Sequence, residues 1–414
     1  MDLIQGHILF FNATYIKKEL TLRTAKDLGL TVSVVGPKLP KWSKRYVDYF
    51  IETNTYNIEQ TLSVLRKYHK KRPFNGVITF WDRDVEPVAH VANEFNLPAS
   101  SKTAAARARN KSLMRKALKL RNVPHPKFIH ISGSWTELQQ AAEKIGYPLI
   151  YKPVGASASK GVFKVESADQ LRRTWEKMMK HATPENDKMF TFYCDEYLVE
   201  EFISGKEVSV EGVVAKGKIH IVGITEKWAD SINFTEYQHA FPARLPEAVV
   251  EDIYKVTRKG IEALELDNCG FHAELIITDH GSKIIEVAGR LGGDFITTHL
   301  IPLAYGSNIT RANILTVLGE DFDLRPTKKR GACIRFLLAE KGGTVRQWMG
   351  TENVMNIPGV VHFGFDKQVG DTVVMPPEKF MDFRLCYVIV EGDDTDDAIL
   401  KAEQALANVR CMIE

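Results

Sequence analysis

Hydrophobic and polar positions along the chain follow two periods, and the change from one to the other marks the elements. His7–Asn12 and Thr31–Val35 are short apolar runs, and Tyr15–Leu28 between them carries apolar residues at helical spacing. Apolar positions three and four apart mark one helix face, whereas a short apolar run bounded by turn residues marks a strand. The pattern continues with a helix through Ile58–Lys70, a strand over Gly76–Phe80 and a helix over Pro87–Phe95 that stops before Leu97-Pro98. Strands alternating with amphipathic helices predict a small open parallel sheet. No Gly-x-Gly-x-x-Gly follows the first strand, which argues against a dinucleotide site there. Ligands of such sheets still gather at the carboxyl ends of the strands, and Trp81-Asp82-Arg83-Asp84-Val85-Glu86 sits at one of them.

Lys102–Arg121 reads as one long basic helix with Arg107, Arg109, Lys111, Arg115 and Lys116, and Asn122-Val123-Pro124-His125-Pro126 ends it, because proline cannot continue a helix. A strand (Lys127–Ile131), a helix begun at Ser134 (Trp135–Ile145) and a buried strand within Tyr147–Val154 follow, the last carrying Lys152. Gly155-Ala156-Ser157-Ala158-Ser159-Lys160-Gly161 then leads into the strand Val162–Val165. A Walker loop needs Gly-Lys-Ser/Thr opening a helix; here the lysine precedes the glycine and a strand follows. The loop is better read as a flap between antiparallel strands whose backbone N–H groups can close over phosphates. Leu198–Val210 is a strand–turn–strand, and Lys218–Thr225 a further strand. From about Arg325 the chain reads as a separate small α+β unit, with strands near Cys333–Leu338, Val360–Phe365 and Cys386–Glu391 and a helix at Thr395–Asn408.

The richest chemistry lies between Gly270 and Arg290. Gly270-Phe271-His272-Ala273-Glu274 and Lys283-Ile284-Ile285-Glu286-Val287-Ala288-Gly289-Arg290 read as two strands of a hairpin. Period-two alternation puts Glu286, Ala288 and Arg290 on one face and leaves Phe271, Leu275, Ile277, Ile285 and Val287 for the packed face. A three-residue loop, Asp279-His280-Gly281, would pair Thr278 with Ser282 and set Glu274 opposite Glu286. Carboxylates whose Cβ atoms stand ~5 Å apart repel unless a cation lies between them, and hard oxygen ligands suit Mg²⁺ held together with substrate phosphates.

Composition narrows the class. At 414 residues, two to four structural units are expected. A net charge of +3 with no basic block argues against nucleic acid as a partner. No apolar run approaches membrane-spanning length, and Met1-Asp2-Leu3-Ile4-Gln5-Gly6 lacks a signal-peptide pattern, so a cytoplasmic enzyme without membrane partners is expected. The five cysteines, Cys194, Cys269, Cys333, Cys386 and Cys411, are scattered without a CxxC, which speaks for packed thiols over disulfides or zinc.

Taken in order, basic-helix Lys111, strand-borne Lys152 with its flap, Glu200-Glu201-Phe202-Ile203 with Glu207, then Glu274, Glu286 and Arg290 resemble the ATP-grasp superfamily. The resemblance covers roughly Ala99 to Thr316 and implies an α/β and α+β multidomain fold. A parallel α/β domain at 1–110 would precede a lid subdomain (111–200), a large subdomain with the metal site (201–325) and a C-terminal α+β domain (326–414). It implies that Lys111, Lys152 and the flap with Ser157 and Ser159 bind ATP phosphates. Glu200, with the backbone of Glu201 and Ile203, would read adenine, and Glu207 the ribose. Glu274 and Glu286 would hold Mg²⁺, with Mn²⁺ as the alternative ion, and Arg290 would grip a carboxylate or acyl phosphate. Many members read Glu-x-Asn-x-Arg at the metal strand; Ala288 replaces that asparagine, which puts a second ion in doubt.

Within the superfamily the chain is most similar to bacterial L-amino acid ligases, through Phe80–Glu86, Arg109–Arg115, Gly292-Gly293 after Arg290, and tail segments such as Ile357-Pro358-Gly359-Val360-Val361. That likeness implies a dipeptide synthetase working through an aminoacyl phosphate, with free amino acids as substrates and a homodimer as the common assembly. Glu236 and His239 would line the amino acid site, His239 as a proton relay, with Gly293 beside them. Asp294 would favour a basic first side chain, and Glu86 is a further pocket candidate. The rival readings are a bicarbonate-using carboxylase or purine-pathway ligase on the same fold, and a nucleotide-binding module without catalysis.

Overall fold

The computed structural model describes residues 4–13 and 15–414; Met1–Leu3 and Thr14, part of the expected N-terminal domain, lie outside the described residues. Strands β1 (His7–Phe11), β2 (Thr31–Gly36), β3 (Tyr49–Glu52) and β4 (Gly76–Ile78) form a parallel sheet in the order β3-β2-β1-β4. The first helix covers Glu19–Asp27 after a tight turn at Ile16–Lys18. β3 escaped the sequence reading because it is a short edge strand with Ile51 as its one buried side chain.

The expected helix Lys102–Arg121 is two helices, Lys102–Arg109 and Lys111–Leu120. Asn110 breaks it: its backbone is extended, and its side chain accepts the N–H groups of Ser112 and Leu113. An asparagine in that geometry caps a new helix, so Lys111 opens the second helix instead of lying mid-helix.

Four antiparallel strands, β5 (Phe128–Ile131), β6 (Leu149–Pro153), β7 (Phe163–Val165) and β8 (Tyr197–Glu201), form a small sheet in the order β5-β8-β6-β7. Helix Trp135–Ile145 and an unforeseen helix, Ala168–His181, cover it around Leu138, Leu149, Tyr151, Leu171 and Val199. The flap joins β6 to β7.

The large sheet has eight strands. Its first part comprises β9 (Lys206–Ala215), β10 (Lys218–Ala229), β11 (Glu236–Phe241), β12 (Cys269–Thr278) and β13 (Gly281–Ala288). β14 (Gly331–Leu338), β16 (Val360–Phe365) and β18 (Arg384–Gly392) complete it, in the order β13-β12-β9-β10-β11-β14-β18-β16. The residues after 325 therefore extend the sheet through the β11–β14 pairing instead of standing apart. A small sheet of β15 (Gly343–Met349), β17 (Thr372–Val373) and β19 (Arg410–Ile413) and the helix Thr395–Leu406 finish the chain. Helix Glu247–Leu264 seals the back of β9, β12 and β13 over Val208, Val210, Phe271, Leu275, Ile284 and Val287.

The hairpin corrects the sequence reading in an informative way. Thr278 pairs with Gly281, not Ser282, so the loop is one residue shorter than expected. A one-residue slip would move Glu286 to the wrong face. A bulge between Glu274 and Leu275 restores the register, and Glu274 does pair with Glu286. The extra residue on the bulged strand is Ile285: Ile284 takes the core place expected for it, and Ile285 turns into the cavity.

Candidate active site

A cavity of about 440 Å³ lies where the two antiparallel sheets and the carboxyl end of the parallel sheet meet. Its lining includes Lys111, Lys152, Ser157, Ser159, Glu200, Glu201, Ile203, Glu207, Glu236, His239, Glu274, Glu286, Arg290, Gly293 and Asp294. Glu86 is not brought there. Its Oε1 accepts the Tyr193 hydroxyl at 2.7 Å outside the cavity lining, because the helix Val85–Glu94 turns that carboxylate away.

Two buried lysines mark one end. Lys111 donates to the Ala156 carbonyl at 2.5 Å and pairs with Glu286 at 3.0 Å. Lys152 pairs with Glu200 at 2.6 Å. Glu200 is bound on its other oxygen by Arg115 at 2.7 Å, and Arg115, wholly buried, also donates to the Ile285 carbonyl at 2.6 Å. Burial alone would raise the Glu200 pKa, but Arg115 and Lys152 hold it below the ordinary value. Burial dominates for Lys152 and pulls its pKa down against the Glu200 charge. The Glu200 carboxylate is thus committed to two cations. Glu201 accepts the Lys127 N–H at 3.0 Å and the Lys283 ammonium at 3.1 Å. Ile150, Phe202, Ile203, Ile276 and Ile285 form an apolar slot beside these charges, suited to a flat ring. Over the lysines lies the flap, where Ala158, Ser159 and Gly161 have positive φ and Ser159 donates to the Phe234 carbonyl at 2.9 Å.

Adjacent strands β9, β10, β11 and β12 carry Glu207, Lys227, Glu236 and Glu274 into one cluster. Lys227 is the centre: it pairs with Glu207 at 2.8 Å, Glu274 at 2.6 Å and Glu236. Although burial opposes its charge, these carboxylates raise its pKa well above the ordinary lysine value. Oxygens of Glu207, Glu236 and Glu274 lie within 4.8 Å of one another. His272 bridges Glu211 at 2.6 Å and Glu274 at 3.1 Å; against the effect of burial, Glu211 and Glu274 push its pKa up to about 10. Glu274 and Glu286 both face the cavity, and their all-oxygen donors fit a hard divalent ion. Ala288, buried at 2 % exposure, adds no donor.

Arg290 is bound to Asp82 and donates to the Leu291 carbonyl at 2.8 Å. Burial would raise the Asp82 pKa, but Arg290 and Arg109 hold it at about 2. Asp294 pairs with Arg384 at 2.8 Å and with His239 at 3.3 Å. Asp294 and Phe295 both take positive φ, 44° and 61°, so the chain turns sharply after Gly292-Gly293 and aims Asp294 inward. His239 Nδ1 has no hydrogen-bond partner among the described residues.

Arg115, Lys227, His272 and Arg384 were not singled out from the sequence. A signal existed for Lys227: β10 runs four residues beyond the expected strand end at Thr225, and Lys227 shares a face with Thr225. Arg384 had none, since its partners lie 90 or more residues away.

Three family models match the chain: an ATP-grasp N-terminal domain over residues 22–99, an ATP-grasp domain over 145–299, and L-amino acid ligase C-terminal domain 2 over 335–414. Alanine–anticapsin ligase of Bacillus subtilis is 27% identical over 223 residues, which are 50% of this chain and 47% of that protein. The L-arginine-specific L-amino acid ligase of Bacillus subtilis is 21% identical over 369 residues, 88% and 86% of the two chains. Among solved structures, the L-amino acid ligase from Bacillus licheniformis superposes with a TM-score of 0.84 at 20% identity, over 99% of each chain. The chain spans about half the length of the alanine–anticapsin ligases it matches. No helix among the described residues is long and apolar enough to cross a membrane.

Proposed function

For a chain that belongs to the ATP-grasp superfamily and carries the C-terminal domain of L-amino acid ligases, we propose the ATP-driven joining of two L-amino acids into a dipeptide. The observation that supports it most is the convergence of Lys111, Lys152, Glu274, Glu286 and Arg290 on one cavity. The apolar slot would take adenine against the backbone of Glu201–Ile203, and Glu207 the ribose. Lys111, Lys152 and the flap N–H groups would hold the phosphates, as cations must when a polyanion leaves water. Mg²⁺ between Glu274 and Glu286, or Mn²⁺ in its place, would neutralise charge on the transferring phosphoryl group. Arg290, oriented by Asp82, would present its planar fork to the first amino acid's carboxylate.

Transfer of the γ-phosphoryl group to that carboxylate gives an aminoacyl phosphate and ADP. The second amino acid's amine then forms the C–N bond as the C–O bond to phosphate breaks. His239, whose Nε2 lies 3.3 Å from Asp294 and 3.7 Å from Glu236 in the cavity lining, would take the amine's proton. The closed flap would keep water from the acyl phosphate. ATP and free amino acids as substrates fit a cytoplasmic setting. A basic first amino acid would have to compete with Arg384 for Asp294, so selection by Asp294 predicts a larger loss with arginine than with leucine in Asp294→Ala.

ADP release, measured with each pair of amino acids and separately with bicarbonate, tests the reading, with mass analysis of the products. Dipeptide formation is the expected result. Turnover with bicarbonate alone would make the chain a carboxylase instead. Mg-ATP binding without stimulated turnover would make it a binding module.

A further inference from the structure

Among the described residues, the cations lining the cavity are paired with one exception. Lys111 has Glu286, Lys152 has Glu200, Arg290 has Asp82, and Lys227 has its glutamates. Lys17 pairs with Asp366, Lys160 with Asp187, and Arg83 with Asp84 at 3.6 Å. Lys18 also lines the cavity, on the turn before the first helix. Among the described residues it has no carboxylate partner and no side-chain hydrogen bond. Its ammonium stands 5.8 Å from the centre of the Trp81 ring. The charged groups facing it are Arg290, Asp294 and Asp82, and both of these aspartates are already committed, to Arg384 and to Arg290. Burial, helped by Arg290, pulls the Lys18 pKa down to about 8. Lys18 is half-buried; a cation partly withdrawn from water without a paired counter-ion is unfavourable, and a ligand carboxylate would relieve it.

The chemistry identifies which carboxylate. In the ligase reading, on which this inference rests, the first amino acid's α-carboxylate is the group activated at Arg290. The α-carboxylate that persists through the reaction belongs to the amine donor, one carbon from the attacking nitrogen. A cation beside Arg290, contributed by the N-terminal unit, is placed to hold it. We propose that Lys18 receives the α-carboxylate of the amine-donating amino acid and so orients its amine toward the acyl phosphate. Lys18 then distinguishes a free amino acid from an amine lacking a carboxylate.

The test uses the full-length protein with the amino acid pair that gives the greatest ADP release. The amine donor is titrated as the free acid and as its C-terminal amide, in wild type, Lys18→Met and Lys18→Arg. Loss of a charge-assisted contact should raise the donor KM in Lys18→Met about tenfold or more, with the KM for ATP within about twofold of wild type. Lys18→Arg should recover most of the loss, and the amide should not distinguish the three proteins. An equal loss for acid and amide would overturn the assignment. So would a loss confined to donors with acidic side chains, which would give Lys18 a side-chain carboxylate instead. A second readout needs no turnover: acylation of Lys18 by an amine-reactive ester, followed by peptide mass mapping with a non-hydrolysable ATP analogue bound. N-acetyl-L-amino acids, which keep the α-carboxylate but have no amine to consume the ester, should slow the labelling and their amides should not. If labelling is indifferent to the N-acetyl-L-amino acids while ADP release responds to free amino acids, the Lys18 inference fails and the ligase reading stands. If no amino acid stimulates ADP release but labelling is slowed, the ligase reading fails and Lys18 remains a carboxylate site.

Discussion

Arg115→Met is the substitution that most directly tests how Lys152, one of the two lysines proposed to hold phosphate, is set. Arg115 is 0 % exposed and its partner Glu200 only 3 %. Its guanidinium makes bonds of 2.7 and 3.3 Å to the two Glu200 oxygens and one of 2.6 Å to the Ile285 carbonyl at the bulge. Methionine fills comparable space but leaves that carbonyl without its donor and Glu200 with Lys152 alone. Breaking one side of a buried pair costs about 3–5 kcal/mol, and the lost hydrogen bonds are contained in that figure instead of adding to it. With Arg115 gone, the full Glu200 charge acts on Lys152 and draws its ammonium from the proposed phosphate position. A loss of about 1.4 kcal/mol there would weaken Mg-ATP binding about tenfold. Arg115→Lys keeps the charge but not the fork, so it should fall between the two. Leu120→Ala on the same helix, where Leu120 is 80% exposed, should stay within about 0.5 kcal/mol of wild type. Urea unfolding followed by tryptophan fluorescence reads the stability, and calorimetric titration reads Mg-ATP. An Arg115→Met protein as stable as Leu120→Ala, with undiminished ATP affinity, would refute the view that Arg115 sets Lys152 through Glu200.

Lys227→Met removes the cation shared by Glu207, Glu236 and Glu274; the metal-free protein should lose about 3–5 kcal/mol, and Mg²⁺ should raise its Tm more than that of wild type, whereas an equal Mg²⁺ response would deny that these carboxylates repel one another. Acylation of Lys18 should reach half its maximal rate near pH 8, well below exposed lysines; because its folded pKa lies below the unfolded value, its charge opposes folding fully below about pH 8 and the cost fades as pH rises toward about 10.5. With a thiol reagent at neutral pH, exposed Cys194 should react first, while Cys333 and Cys386, both buried, with Cys386 pushed up to about 12, should react after unfolding; early reaction at either would contradict their burial.

Much of the architecture was legible because it is local. Alternation along Lys283–Arg290 placed Glu286 and Arg290 toward one cavity, and turn residues separated strand from strand. The break at Asn110 was written in the chain too, but a capping asparagine inside a basic amphipathic run looks like one more polar position until its extended backbone is seen. The hairpin shows a subtler limit. The pairing of Glu274 with Glu286 was expected from a loop that is one residue too long, and a bulge at Ile285 compensates for it. Two shifts of opposite sense cancel at the carboxylates but not at Ile284 and Ile285, whose core and cavity roles are exchanged. What could not be read is which charges meet. Lys227 contacts Glu207, Glu236 and Glu274 because β10 lies between β9 and β11, and β12 lies on the far side of β9; Arg384 meets Asp294 because β18 joins the same sheet. A strand's period fixes which side chains share its face, but the order of strands fixes which of them neutralise one another. In a cavity this rich in charge, the pairings leave one lining cation without a carboxylate of its own among the described residues: Lys18, whose facing aspartates, Asp294 and Asp82, are committed to Arg384 and Arg290.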